Sequence, residues 1–201
     1  MGIHQKITGL FLLVSTLIYS QERPSYFQPS LLRASATIAP TRFYTQQTTV
    51  ALINGFVEYA LENRISVRGE ANIMAPNGKL LYTNSPEKFP RNFISIYAGF
   101  GYHLGKRNWK FDIHAEPGIA ISEMAQQPFL IVPVSYQWGV SPSYMLKVGT
   151  SFYFSKYCHF FAEINYSNGW IRKTPLTSVS IAQYGISAGL GFHLITQKHD
   201  E

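Results

Sequence analysis

The chain has 201 residues, a mass of 22.8 kDa and a net charge of +6, with 15% aromatic but only 14% charged residues. An ordinary soluble domain carries roughly 25% charged residues, yet a mean hydropathy of −0.04 is far too polar for a bundle of membrane helices. The single cysteine, Cys158, rules out an intramolecular disulfide and with it a stapled secreted miniprotein.

Residues 1–20 read as a secretory signal peptide. Lys6 supplies the positive start, residues 10–14 form an apolar centre, and Ser20 precedes the expected cut at Gln21. The longest apolar run, residues 7–19, is shorter than the roughly 20 residues a membrane helix needs. Losing Lys6 with the leader leaves 16 basic against 11 acidic side chains, a net +5. An exported chain does not meet nucleic acid, so the anionic neighbour expected for this surplus is phosphorylated glycolipid. Residues 21–30, with Pro24 and Pro29, read as a periplasmic linker.

Eight strand candidates follow. In the first, 32–43, Ala34, Ala36 and Ile38 oppose Ser35, Thr37 and Thr41. After a turn at 44–47, the second, 49–61, sets Ala51, Ile53, Val57 and Tyr59 against Asn54 and Glu58. A tight turn at 62–63 leads to the third, 64–74, which alternates almost perfectly, with Arg64, Arg68 and Glu70 on its polar face. A long polar loop, 75–92, leads to the fourth, 93–104, and a tight turn at 105–108 to the fifth, 109–121. That fifth run, Trp109-Lys110-Phe111-Asp112-Ile113-His114-Ala115-Glu116, places every ionisable side chain on one face, a period of two that describes a strand with one dry surface. From 134 to 154 the alternation keeps one phase, far longer than the 9–11 residues that span a bilayer. The sixth strand is therefore expected at 144–155, with 134–140 as a continuation or a separate ribbon outside. A third tight turn at 156–158 leads to the seventh strand, 159–170, then a loop at 171–180 and the eighth strand, 181–195, with 196–201 as a periplasmic tail.

The tight turns fall on one side and the longer loops on the other, as in small membrane barrels. Segments 55–70, 101–116 and 149–163 repeat loosely as glycine, aromatic strand end, turn, then a strand ending in an inward Glu. The last strand contains Ser187-Ala188-Gly189-Leu190-Gly191-Phe192-His193-Leu194. Its Ser187, Gly189, Phe192 and Leu194 resemble the terminal signal read by the outer-membrane barrel assembly machinery. With the strand–turn–strand run 152–163, the chain resembles the small outer-membrane β-barrel family of Gram-negative bacteria over about 31–195. The resemblance implies an all-β, eight-stranded antiparallel up-and-down transmembrane barrel in the outer membrane, contacting its lipids and handled by the assembly machinery. It is nearly silent on activity. A monomer without cofactor is expected.

In such a barrel the interior is just wide enough for side chains. Glu58, Arg68, Glu70, Lys110, Asp112, His114, Glu116, Lys147 and Glu163 then form an interior ion-pair network, since unpaired buried charge is very costly. Outward Tyr59, Tyr102, Trp109, Phe152, Phe154, Tyr166, Tyr184 and Phe192 lie towards strand ends as an aromatic girdle. His103, His159 and His193 share the inward phase near one end; converging imidazoles can bind a transition metal, but no carboxylate or thiolate stands at a fixed short spacing, so polar filling of the barrel mouth is the favoured reading and no metal is expected. Lys79, Lys88, Arg91, Arg172 and Lys173 fall in the outer loops, where they can meet glycolipid phosphates.

Asn165-Tyr166-Ser167-Asn168-Gly169 resembles the His-x-Ser-Asn motif of outer-membrane lipid A deacylases, with Ser167 at the nucleophile position. Asn165 stands where the base belongs, and an amide cannot take the serine proton. The expected role is therefore non-enzymatic: structural, or interactive through the extracellular loops. A divergent lipid A acyl hydrolase and a small channel are the alternatives. A soluble sandwich or lipocalin-like carrier is a third, and would reverse the two faces.

Overall fold

A computed structural model of the protein describes residues 26–81, 90–105, 108–126, 135–174 and 177–196. The proposed leader 1–20, the first half of the linker (21–25) and residues 197–201 of the tail lie outside these. Among the described residues the period of two is realised in nine strands: β1 (Leu31–Phe43), β2 (Thr48–Ala60), β3 (Ile65–Leu81), β4 (Pro90–Leu104), β5 (Trp109–Gln126), β6 (Ser135–Tyr153), β7 (Cys158–Thr174), β8 (Thr177–Ser180) and β9 (Gln183–Ile195). Each pairs antiparallel with its neighbour in the order β1-β2-β3-β4-β5-β6-β7-β9, and β9 returns to β1. Eight strands thus close the barrel, while the four-residue β8 pairs only with β7.

The short connections β2–β3, β4–β5 and β6–β7 fall at one end, here called the near end, where the chain also enters at residue 30 and leaves at 196. Gly105 sits in the left-handed region at φ 115°, and a Cβ there would lie 2.5 Å from the Trp109 carbonyl oxygen. At the far end the strands run on beyond the sequence-based limits. β3 continues to Leu81 and β4 starts at Pro90, so much of the expected loop 75–92 is strand. β7 continues to Thr174 and β8 occupies Thr177–Ser180, so the expected loop 171–180 is also largely β-structure. Residues 135–140 belong to β6 itself. They pair with β5 in unbroken register from Trp109↔Phe152 to Gln126↔Ser135. Bilayer thickness was the wrong limit for these strands, because a hairpin can project past the membrane while its own ladder keeps it paired.

The barrel is apolar outside and polar within. Ile38, Phe100, Ile164, Ile186 and Phe192 are each 60–65% exposed, and the same face carries Ile53, Val67, Ile96, Ile113, Leu146 and Val148. A monomer in water rarely exposes more than a few hundred Å² of contiguous apolar surface. Within the described residues the interior is layered. A charged middle lies between an apolar layer of Phe43, Val50, Leu52, Phe93, Ala120 and Ile181 at the far end and one of Phe27, Leu31, Ala60 and Tyr153 at the near end. Phe27 precedes β1 and folds into the near mouth, 2% exposed.

Candidate functional site

The interior site follows from register. Arg33 on β1 pairs with Glu58 on β2, and Glu58 with Arg68 on β3, so three alternating charges lie in one row on the inner face. Across a single strand spacing of about 4.8 Å their side chains must meet. Arg33 lies 2.7 Å from Glu58, and Arg68 lies 3.6 Å from the same carboxylate.

Two further contacts cross the lumen. Strands β3 and β7 are opposite in the ring of eight, and Arg68 reaches over to place Nη1 2.7 Å from Glu163 Oε1 and Nη2 2.9 Å from Oε2. This is the bidentate geometry that suits a guanidinium and a carboxylate. Arg68 also holds Glu70 at 2.8 Å and sits 3.6 Å above the centre of the Phe56 ring. Lys147 from β6 bonds Glu70 and lies 3.2 Å from Glu163. The second crossing joins β1 to the opposite β5: Arg33 stands 3.4 Å from Asp112 and donates to Ser151 at 2.9 Å and to the Tyr153 hydroxyl at 3.1 Å. His103 completes this cluster, with Nδ1 2.7 Å from Asp112 and Nε2 2.9 Å from Glu58.

The named interior residues are therefore unequal. Glu58, Arg68, Glu70, Asp112, Lys147 and Glu163 are buried and paired. Lys110 is drawn to the mouth, where its ammonium donates to the Gly105 carbonyl at 3.1 Å; among the described residues no carboxylate lies within ion-pair reach of it. His114 makes only a 3.5 Å contact with Glu58. Glu116 is buried 3.6 Å from Arg68, and neither carboxylate oxygen has a hydrogen-bond partner among the described residues. Arg33 was missed in the sequence, although its odd parity matches Ser35 and Thr41 and so pointed inward.

His159 and His193 bring their Nδ1 atoms to 3.3 Å. His103 is instead drawn into the Glu58–Asp112 cluster, where Glu58, His103 and His114 form the one group of metal-type donors gathered among the described residues. Ser167 is buried, and its hydroxyl accepts a hydrogen bond from the Gln183 amide at 2.7 Å. That amide cannot act as a base, and the serine faces the lumen rather than lipid.

On the outer face the aromatic residues form two levels. Tyr44, Tyr184, Tyr166 and Tyr144 follow one another around the far level, with ring centres 6.0, 6.0 and 6.3 Å apart. Trp109 packs on Phe152 at 4.9 Å and Phe154 on Phe160 at 4.6 Å at the near level, which also holds Tyr59, Tyr102 and Phe192. Tyr144 and Phe152 are eight residues apart on β6, about 27 Å along the strand and about 20 Å along the barrel axis after a tilt of 35–45°. That span approaches the roughly 25 Å apolar band of a membrane barrel.

The fold has known counterparts. Neisserial surface protein A superposes with a TM-score of 0.57 at 13% identity, covering 82% of this chain and 96% of that one. The attachment invasion locus protein Ail of Yersinia pestis, in complex with the heparin analogue sucrose octasulfate, gives 0.51 at 13% identity, covering 83% and 100%. The chain has the fold of the small outer-membrane β-barrels. No protein-family model and no curated protein matches it by sequence. Within this barrel fold, Ser187 faces the lumen while Phe192 and Leu194 face outward, all on the strand that closes the ring against β1.

Proposed function

We propose that this protein is a non-enzymatic outer-membrane barrel that anchors cationic β-hairpins at the cell surface, where they bind anionic saccharide. The observation that carries the anchor role is the pair of lumen-crossing bridges, Arg68 to Glu163 and Arg33 to Asp112. A lumen filled in this way between two apolar layers leaves the surface and the projecting ends as the parts able to meet a partner. Lys79 lies on β3, Arg91 on β4, and Arg172 and Lys173 on β7, all in the far-end extensions. Lys88 lies outside the described residues. Ail, of the same fold, is crystallised with a sulfated sugar, which supports a phosphorylated or sulfated saccharide as the ligand class. The assembly machinery and the surrounding lipids are the other partners proposed, and a monomer the proposed state.

The test uses purified protein, vesicles containing phosphorylated glycolipid, and soluble sucrose octasulfate. Saturable binding that weakens with salt is expected, since exposed charges are screened within about 10 Å at 0.1 M. Reversing Lys79, Arg91, Arg172 and Lys173 to Glu together should weaken it at least ten-fold. Preference for vesicles over soluble sugar identifies the cell's own glycolipid as the source. Binding unchanged in the quadruple variant would sink the proposal.

A further inference from the structure

The near-end cluster contains more electron-pair donors than protons to join them. Asp112, held by Arg33 and Ser151, accepts from His103 Nδ1 at 2.7 Å, so that nitrogen carries a proton. A neutral His103 then presents its Nε2 lone pair to Glu58 Oε1 at 2.9 Å. Ser66 lies 2.5 Å from that oxygen and 2.7 Å from Nε2, but its hydroxyl has one proton to give. His114 Nε2 stands 3.5 Å from the same Glu58 oxygen, too far for a sound hydrogen bond. Three donors from β2, β4 and β5, all within 4.8 Å of one another, therefore converge on a point that either a second proton on His103 or a bound cation fills.

We propose that Glu58, His103 and His114 form a binding site for a divalent transition metal ion of the Zn²⁺ and Co²⁺ type. Two imidazole nitrogens and a carboxylate oxygen are a donor set these ions favour, at bonds of about 2.0–2.2 Å. Two such bonds at a tetrahedral angle hold their donor atoms about 3.4 Å apart, close to the 3.5 Å between Glu58 and His114. The 2.9 Å between Glu58 and His103 opens by about half an ångström on binding. Asp112 behind His103 fixes its tautomer and orientation, the usual carboxylate support of a metal-bound imidazole. Arg33 holds Glu58 by Oε2 and leaves Oε1 to the ion. Ser66 Oγ offers a fourth donor. His114 Nδ1 has no partner among the described residues, so His114 is the least braced ligand. The way in is the near mouth, past the Phe27 ring, whose centre lies 4.1 Å from that of His103.

The experiment is a Co²⁺ titration of the full-length protein purified from membranes and stripped with chelator, followed by Zn²⁺ displacement. One equivalent of Co²⁺ should give the intense visible absorption of a four-coordinate ion, and binding should weaken as the pH falls, since ligation needs unprotonated nitrogens. His103→Asn and Glu58→Gln should weaken binding at least ten-fold and His114→Asn less, while His159→Asn and His193→Asn leave it unchanged. If the ligand variants do not fold, the wild type and His159→Asn decide: Zn²⁺ should raise both urea midpoints equally. No absorption from the wild type at millimolar Co²⁺, full binding in His103→Asn, or loss in the His159 and His193 variants would each overturn the site.

Discussion

Arg68 carries the largest share of the interior, touching Glu58, Glu70, Glu116 and Glu163. Removing one partner of a buried pair strands the other and costs about 3–5 kcal/mol. Arg68→Ala should therefore lower the unfolding free energy by at least about that much, read as the urea midpoint in lipid vesicles. Arg68→Lys should recover only part of the loss, since a lysine cannot reproduce the bidentate bond to Glu163. A shift below about 1 kcal/mol for Arg68→Ala would mean that the bridges are not load carriers. Backbone spacing gives a second contrast at this scale. A Cβ at Gly99 would lie 2.1 Å from the Ala115 carbonyl oxygen, while one at Gly69 meets nothing within 4 Å. Gly99→Ala should impair folding, scored by yield and urea midpoint, and Gly69→Ala should not. Inward parity could be read for each charged residue, because it depends only on strand phase. Partners could not: Arg68 meets Glu163 and Arg33 meets Asp112 because closure makes their strands diametric, and no local pattern encodes a diameter. The metal-type grouping was hidden for the same reason. His103 shares parity with His159 and His193, but the residues brought within reach of it are Glu58, Asp112 and His114.

At the scale of elements, β5 and β6 form the longest ladder. Eighteen residues of β5 extend about 61 Å. Crossing a 30 Å hydrocarbon core at a 35–45° tilt uses about 39 Å, so about 20 Å projects beyond the membrane. The unbroken phase from 134 to 154 already announced this hairpin, but phase says nothing of where lipid ends, and the far part was left as either a continuation or a separate ribbon; it is a continuation. A bulky maleimide reagent applied to intact cells should label Gln137→Cys in a Cys158→Ser background. The native Cys158, beside the near-end turn, should stay unlabelled until the membrane is opened. The opposite pattern would invert the barrel in the membrane.

For the whole molecule, the outward apolar face and the two aromatic levels were legible because both are strand-local. The layering of the lumen was not, since Phe27, Leu31, Ala60 and Tyr153 come from three separate stretches of chain. That layering predicts no measurable single-channel conductance in planar bilayers for the wild type. Discrete, voltage-stable steps would return the channel reading to contention. Closure itself is uneven. The β1–β9 ladder runs from Leu31↔Ile195 to Ser35↔Gly191 and resumes in the same register at Thr41↔Gly185, leaving residues 36–40 without paired partners on that side. Pro40 has no amide hydrogen to offer, and the Thr37 hydroxyl spans the interval to the Ala188 carbonyl at 2.9 Å. A cylinder with one slack stitch parts there first. Amide exchange should be fastest at Ala36 and Ile38 among the midstrand positions, and unzipping of the folded barrel should begin where its first and last strands meet.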